Sequence, residues 1–190
     1  MPLAPARVSQ IISGLWLALI LYWLFLAFGN KKNRFKQSRS SRIVYLVITV
    51  GVVYAITHVR QLRITLLPTT PATQITGILL CATGIAIAVW ARHILGTNRS
   101  GIVTLKQDHT LIRNGPYRYV RHPIYSGIIV AAAGSFLAVL PTLQGVISLI
   151  FIFLGLRLKS RLEERVLTRE FPDEYPRYCR EVKALVPFVY

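Results

Sequence analysis

The stretch "RNGPYRYVRHPIYSG", from Arg113 to Gly127, carries three Arg, one His, three Tyr, two Pro and two Gly directly ahead of a long apolar run. These residue types supply cations for anionic groups, ring faces for a cation, and an imidazole able to hydrogen-bond. Pro123 suits the first turn of a helix, where its missing N–H would be unpaired anyway. That placement predicts free backbone N–H groups and a positive helix end beside Arg118 and Arg121, a setting that favours an anionic group. Further along, the adjacent carboxylates of Glu163 and Glu164 can hold an ammonium. A ligand with a carboxylate, an ammonium, a second cationic centre and a flat ring satisfies all of these features, and S-adenosylmethionine is such a ligand. Each residue also has a plain reading. The Arg and Tyr residues serve as topology signals and interfacial belt residues, His122 as a satisfied interfacial histidine, and Glu163 and Glu164 as helix-surface charges paired with Lys159, Arg161 or Arg165. The functional reading depends on whether the two clusters meet.

The elements that would bring them together are apolar helices. The 190 residues are 53% hydrophobic and 16% charged, with a mean hydropathy of +0.48, which is too apolar for an ordinary soluble domain. A net charge of +16 raises nucleic-acid binding, but the basic residues sit between apolar blocks instead of over a soluble face, so no nucleic-acid partner is expected. The two cysteines, Cys81 and Cys179, have no metal or redox spacing and read as reduced thiols. Apolar runs cover Ile11–Phe28, Ile43–Thr57, Ile75–Ala91 and Ile124–Leu156, the last interrupted by Pro141. The first run is longer than a signal-peptide core and reads as a retained span. A bilayer core of about 30 Å takes about 20 helical residues, so the last run is too long for one span and folds into a hairpin at Leu140-Pro141-Thr142.

The resulting expectation is an all-α polytopic membrane protein with five transmembrane helices, the last two a hairpin. Twenty Lys and Arg fall in loops 29–42 and 92–123 and in the tail from Arg157, against Arg7, Arg60 and Arg63 on the other side. The positive-inside rule then puts the N-terminus outside and the C-terminus in the cytoplasm, with the basic loop 31–42 against anionic headgroups. Residues 1–190 form one integral membrane domain: 1–74 hold two N-terminal spans and 75–190 a core. The last helix is expected to run from Thr142 to Phe171 and stop at Pro172. Folding back at Pro141 sets residue 123 level with residue 159, so Glu163 and Glu164 reach about 7 Å beyond, to the height of Gly115–His122.

"NGPYRYVRHPIYSG" resembles the signature of the isoprenylcysteine carboxyl methyltransferase and phospholipid methyltransferase superfamily of integral membrane enzymes. The resemblance extends through "LGTNRSG" (Leu95–Gly101), "HTLIRNGPY" (His109–Tyr117) and "EERVLTREFPDEYPRYCREVKALVP" (Glu163–Pro187), and covers roughly Gly84 to Tyr190. It implies methyl transfer dependent on S-adenosylmethionine, with the cofactor entering from the cytosol and the acceptor, a lipid or lipidated substrate, arriving through the membrane. By position it implies that His122, Pro123, Tyr125 and Gly127 shape the cofactor pocket. Glu163 and Glu164 contact the cofactor's polar end, and Tyr117, Tyr175 and Tyr178 help to close the pocket. Arg118, Arg121 and Arg161 become candidates for steering an anionic acceptor, with His109 as a reserve base. No metal is expected.

Two other classes compete. A membrane reductase using NADPH, of the sterol reductase kind, has a related Arg-His and Tyr-Gly pattern, but its R-H-x-N-Y differs from the Pro123-Ile124 that follow His122 here. A scaffold has no reason to set carboxylates opposite an Arg-His cluster at a membrane surface. The chain contains no G-x-G, which removes a soluble Rossmann-type enzyme.

Overall fold

The computed structural model describes residues 4–28, 59–95, 111–139 and 141–186. Among these residues five α-helices follow one another: α1 (Pro5–Phe28), α2 (Pro71–Ile94), α3 (Pro123–Val139), α4 (Leu143–Glu170) and α5 (Glu174–Glu181). Short 3-10 turns occur at Arg60–Leu62 and Gly115–Arg118. Among the described residues there is no strand, only two isolated bridges. Three of the described helices, α1, α2 and α4, are long and apolar enough to cross a membrane, and α3 is a shorter apolar helix. The expected span at Ile43–Thr57 lies outside the described residues, as do loop 31–42, Leu95–Gly101 beyond its first residue, and His109.

Local chemistry explains the helix ends. Thr70 caps α2 in a reciprocal capping box with Thr73, and Pro71 stands at the first helical position. Pro123 opens α3. The hairpin between α3 and α4 turns at Pro141, as the sequence suggests. Thr142 caps α4 by accepting from the Gly145 N–H, and α4 ends with Phe171 as its C-cap, just before Pro172. The Pro141 carbonyl is not left orphaned, because the Leu66 N–H donates to it at 2.8 Å while Leu143 N–H donates to Ile64 O. The segment before α2 therefore covers the turn at the end of the bundle remote from Glu163 and Glu164.

The tightest contact joins α2 to α3, which run antiparallel. Small residues repeat at heptad-like spacing on both helices: Gly77, Cys81, Gly84, Ala88 and Ala91 on α2, and Gly127, Ala131, Gly134 and Ala138 on α3. A Cβ placed on Gly84 would lie 2.3 Å from Ala131 N, and one on Gly134 would lie 2.3 Å from Cys81 N. The two backbones are thus as close as van der Waals contact permits. In lipid, where apolar burial gives helices no net attraction, such close approach is what holds them together.

Helix α1 lies along the same pair. Val8 and Ile12 pack with Cys81, Ala131 and Ala138, the Trp16 indole donates to Ser135 Oγ at 2.9 Å, and Arg92 lies 5.8 Å over the Trp23 ring. These contacts run in register from the start of α1 and α2 to their ends, so the two helices are parallel.

Candidate functional site

The RHP stretch and the carboxylates of α4 converge where α2 ends and α3 begins. Tyr125, in the first turn of α3, donates its hydroxyl to Glu163 Oε1 at 2.6 Å. The His122 ring, 7% exposed, stands between both carboxylates, with Nε2 3.2 Å from Glu164 Oε1 and Nδ1 3.7 Å from Glu163 Oε2. It stacks on Tyr125, with ring centroids 5.5 Å apart and planes 8° from parallel. Pro123, fully buried beneath it, fixes where the helix starts.

Arg121 completes the centre in a way its sequence position does not reveal. Its Nε and Nη2 both donate to Glu164 Oε1, at 3.1 and 2.7 Å. Its Nη1 donates to Cys179 O at 3.2 Å and to Val182 O. The guanidinium is therefore engaged within the fold, joining a site carboxylate to the C-terminal segment. Burial works against its charge, and the hydrogen bond and proximity of Glu164 more than restore it, so its pKa is raised.

The C-terminal segment is the element the sequence leaves least visible. Helix α5 and residues 182–186 dock on residues 113–126. Arg121 N–H and His122 N–H donate to Lys183 O and Ala184 O, at 2.8 and 3.0 Å. Ser126 Oγ donates to Leu185 O at 2.5 Å, and Leu185 packs with Tyr125 and Ala184. Outside this, Arg113 pairs with Glu181 and lies 5.0 Å over the Tyr178 ring. The N–H groups of residues 121 and 122 are thus bonded to this strap, while in the first turn of α3, where the sequence predicts free N–H groups, those of Tyr125 and Ser126 donate to His122 O.

Tyr117, Tyr175 and Tyr178 gather under α5. Tyr178 donates its hydroxyl to Tyr117 O, Tyr117 to Ala91 O at 3.4 Å, and the rings of Tyr175 and Tyr178 meet edge-on at 6.0 Å. The Tyr175 hydroxyl is buried with no hydrogen-bond partner among the described residues. Burial raises the pKa of all three phenols, helped at Tyr175 by the nearby Glu164 charge and opposed at Tyr178 by Arg121 and Arg113. Unfolded, they would ionise near the ordinary value of 10.0, whereas folded they keep their protons to higher pH. Their stabilising effect is thus fully present below that value and is lost as pH rises through the folded pKa values. In an alkaline titration, the phenolate absorbance of these three is expected to appear only on unfolding.

The remaining residues stand elsewhere. Gly127 lies one turn into α3 with its Cα against Gly84 and Ala88, outside the group that meets the carboxylates. Arg118 and Arg161 are exposed. Lys159, which the sequence reading treats only as a salt-bridge partner for the carboxylates, holds its Nζ 5.4 Å over the Tyr125 ring. No group of three or more possible metal ligands occurs among the described residues.

A model of the phospholipid methyltransferase family matches residues 72–174, more than half of the chain and the span that contains both halves of the site. The chain belongs to the phospholipid methyltransferase family. Within this family it is similar to protein-S-isoprenylcysteine O-methyltransferase of Saccharomyces cerevisiae, at 34% identity over 60% of this chain and 48% of the relative. Methanethiol S-methyltransferase 1 of Bradyrhizobium diazoefficiens is 41% identical over 38% of this chain and 24% of its own length. The chain thus spans about half or less of the curated relatives it matches. A solved structure of a eukaryotic intramembrane isoprenylcysteine carboxyl methyltransferase aligns with a TM-score of 0.47 and 20% identity, over 81% of this chain and 55% of that one.

Proposed function

We propose that this member of the phospholipid methyltransferase family is an integral membrane methyltransferase that uses S-adenosylmethionine and acts on a membrane-partitioned acceptor, with residues 75–190 as its core. The observation that carries this reading is the carboxylate pair held by His122, Arg121 and Tyr125 at the ends of apolar helices. Similarity to enzymes named as methyltransferases supports it, and the reductase reading draws no such support.

The donor set fits the cofactor's charges. Glu163 Oε1 is bonded to Tyr125, while among the described residues its Oε2 has only the His122 nitrogen, 3.7 Å away, so this carboxylate can accept from an ammonium or face a sulfonium. Glu164, already bonded by Arg121, serves instead to fix His122 and the strap. Tyr117, Tyr175 and Tyr178, all buried, exclude water from beneath. When bound, the cofactor supplies a methyl group already activated on sulfur. The chain's contribution is alignment of the acceptor and exclusion of water. An acceptor that is already nucleophilic needs no base from the protein.

In the proposed topology the site end of the bundle faces the cytoplasm, with Arg118 and Arg161 on that surface.

Equilibrium binding of S-adenosylhomocysteine and NADPH to purified protein tests the reading. Binding of the first and not the second is expected. Tight NADPH binding alone would point to the reductase, and binding of neither would remove the site assignment.

A further inference from the structure

The acceptor's chemistry can be read one turn below the carboxylates. Of the cations near the site, Arg121 is taken up by Glu164, Cys179 O and Val182 O, and Arg113 by Glu181. Arg118 and Arg161 are exposed and make no hydrogen bond or ion pair to a site residue among those described. Lys159 differs from all four. Its ammonium rests over the ring of Tyr125, whose hydroxyl holds Glu163, and it makes no ion pair among the described residues.

Its depth matters as much as its contact. Lys159 precedes Glu163 by four residues, about 6 Å along α4 toward the membrane. Leu154 and Leu158, on the membrane side of it, are exposed apolar residues. An amphiphile moving up the lipid face of α4 therefore meets Lys159 before it meets Tyr125 and Glu163. A lysine at this boundary keeps its stem against apolar surface and its charge at headgroup level. The ring of Tyr125 holds the ammonium in a fixed region without neutralising it, since a cation–π contact leaves the charge available to an anion.

We infer that Lys159 is a specificity-determining residue that holds the anionic headgroup, a carboxylate or phosphate, of the acceptor at the membrane side of the carboxylate pair. The inference rests on the methyl-transfer reading only for the word acceptor, since the anion site itself requires no turnover.

Three amphiphiles sharing one tail test it: N-acetyl-S-farnesyl-L-cysteine for a carboxylate, farnesyl phosphate for a phosphate, and farnesol as the neutral control. Equilibrium binding is measured on full-length protein in phosphatidylcholine nanodiscs with S-adenosylhomocysteine present. Lys159→Gln is expected to weaken at least one anionic probe by about fivefold or more and to leave farnesol unchanged, and Lys159→Arg restores the native value. Which anionic probe responds identifies the source. Equal weakening of all three probes, or unchanged anionic affinities in Lys159→Gln, overturns the inference. Charge discrimination without any S-adenosylhomocysteine binding keeps the anion site and removes the methyl-transfer reading.

Discussion

In the Glu163→Gln variant, affinity for S-adenosylmethionine is expected to fall about 10- to 100-fold with little change in Tm. The carboxamide oxygen still accepts from the Tyr125 hydroxyl, which now stands 2.6 Å from Glu163 Oε1, so the fold keeps its bond. What is lost is the negative charge that a cationic ligand would meet, and a charge-assisted hydrogen bond contributes about 1.5–3 kcal/mol. Glu164→Gln behaves differently although its residue is the next one along. It removes the counter-ion of Arg121, whose side chain is 10% exposed, and an orphaned buried charge costs about 3 kcal/mol or more. That variant is expected to lose both cofactor affinity and several degrees of Tm. Calorimetric titration and thermal melts of the two variants check the contrast. Full affinity in Glu163→Gln would remove Glu163 from the cofactor site.

The second large effect lies in the membrane, away from the chemistry. Gly84→Val is expected to eliminate folded protein, read as loss of the monodisperse peak in detergent. Even the first added carbon would stand 2.3 Å from Ala131 N and 2.4 Å from Gly127 O, so α2 and α3 must separate along their whole contact. Overpacking of this kind costs about 3 kcal/mol or more when backbone, not a flexible side chain, stands in the way. Gly155→Ala on α4 is the control, because nothing lies within 4 Å of its added carbon, and helix propensity favours alanine by about 1 kcal/mol. A Gly84→Val protein as stable as the native one would mean that the close approach of the two helices does not hold the bundle.

Much of this was legible from local signals. Pro141, Thr142 and Pro172 are backbone punctuation, so the hairpin turn and both ends of α4 followed from residues within a turn of each boundary. The meeting of His122 with Glu163 and Glu164 followed from counting helical rise on either side of that turn. Less accessible were features decided by partners far away in sequence. Arg121 could equally have faced solvent, a headgroup or a ligand, and only the arrival of Cys179 and Val182 beside Glu164 makes it internal. The alternation of Gly, Cys and Ala on α2 and α3 was present in the sequence at heptad spacing, but small residues in an apolar run look like filler until two such faces are paired. Gly127 illustrates the point: within the motif it reads as part of a pocket, and the structure places it between helices.

The backbone pairing of Arg121 and His122 with Lys183 and Ala184 has a bearing on biogenesis. Helix α3 itself supplies two backbone bonds to His122, whose carbonyl accepts from the Tyr125 and Ser126 N–H groups, whereas the N–H groups of residues 121 and 122 find their acceptors only in residues 183 and 184, which are made after every other part of the site. A polypeptide cut a few residues before Lys183 would keep the helical hairpin's own bonds and leave these two N–H groups without their acceptors.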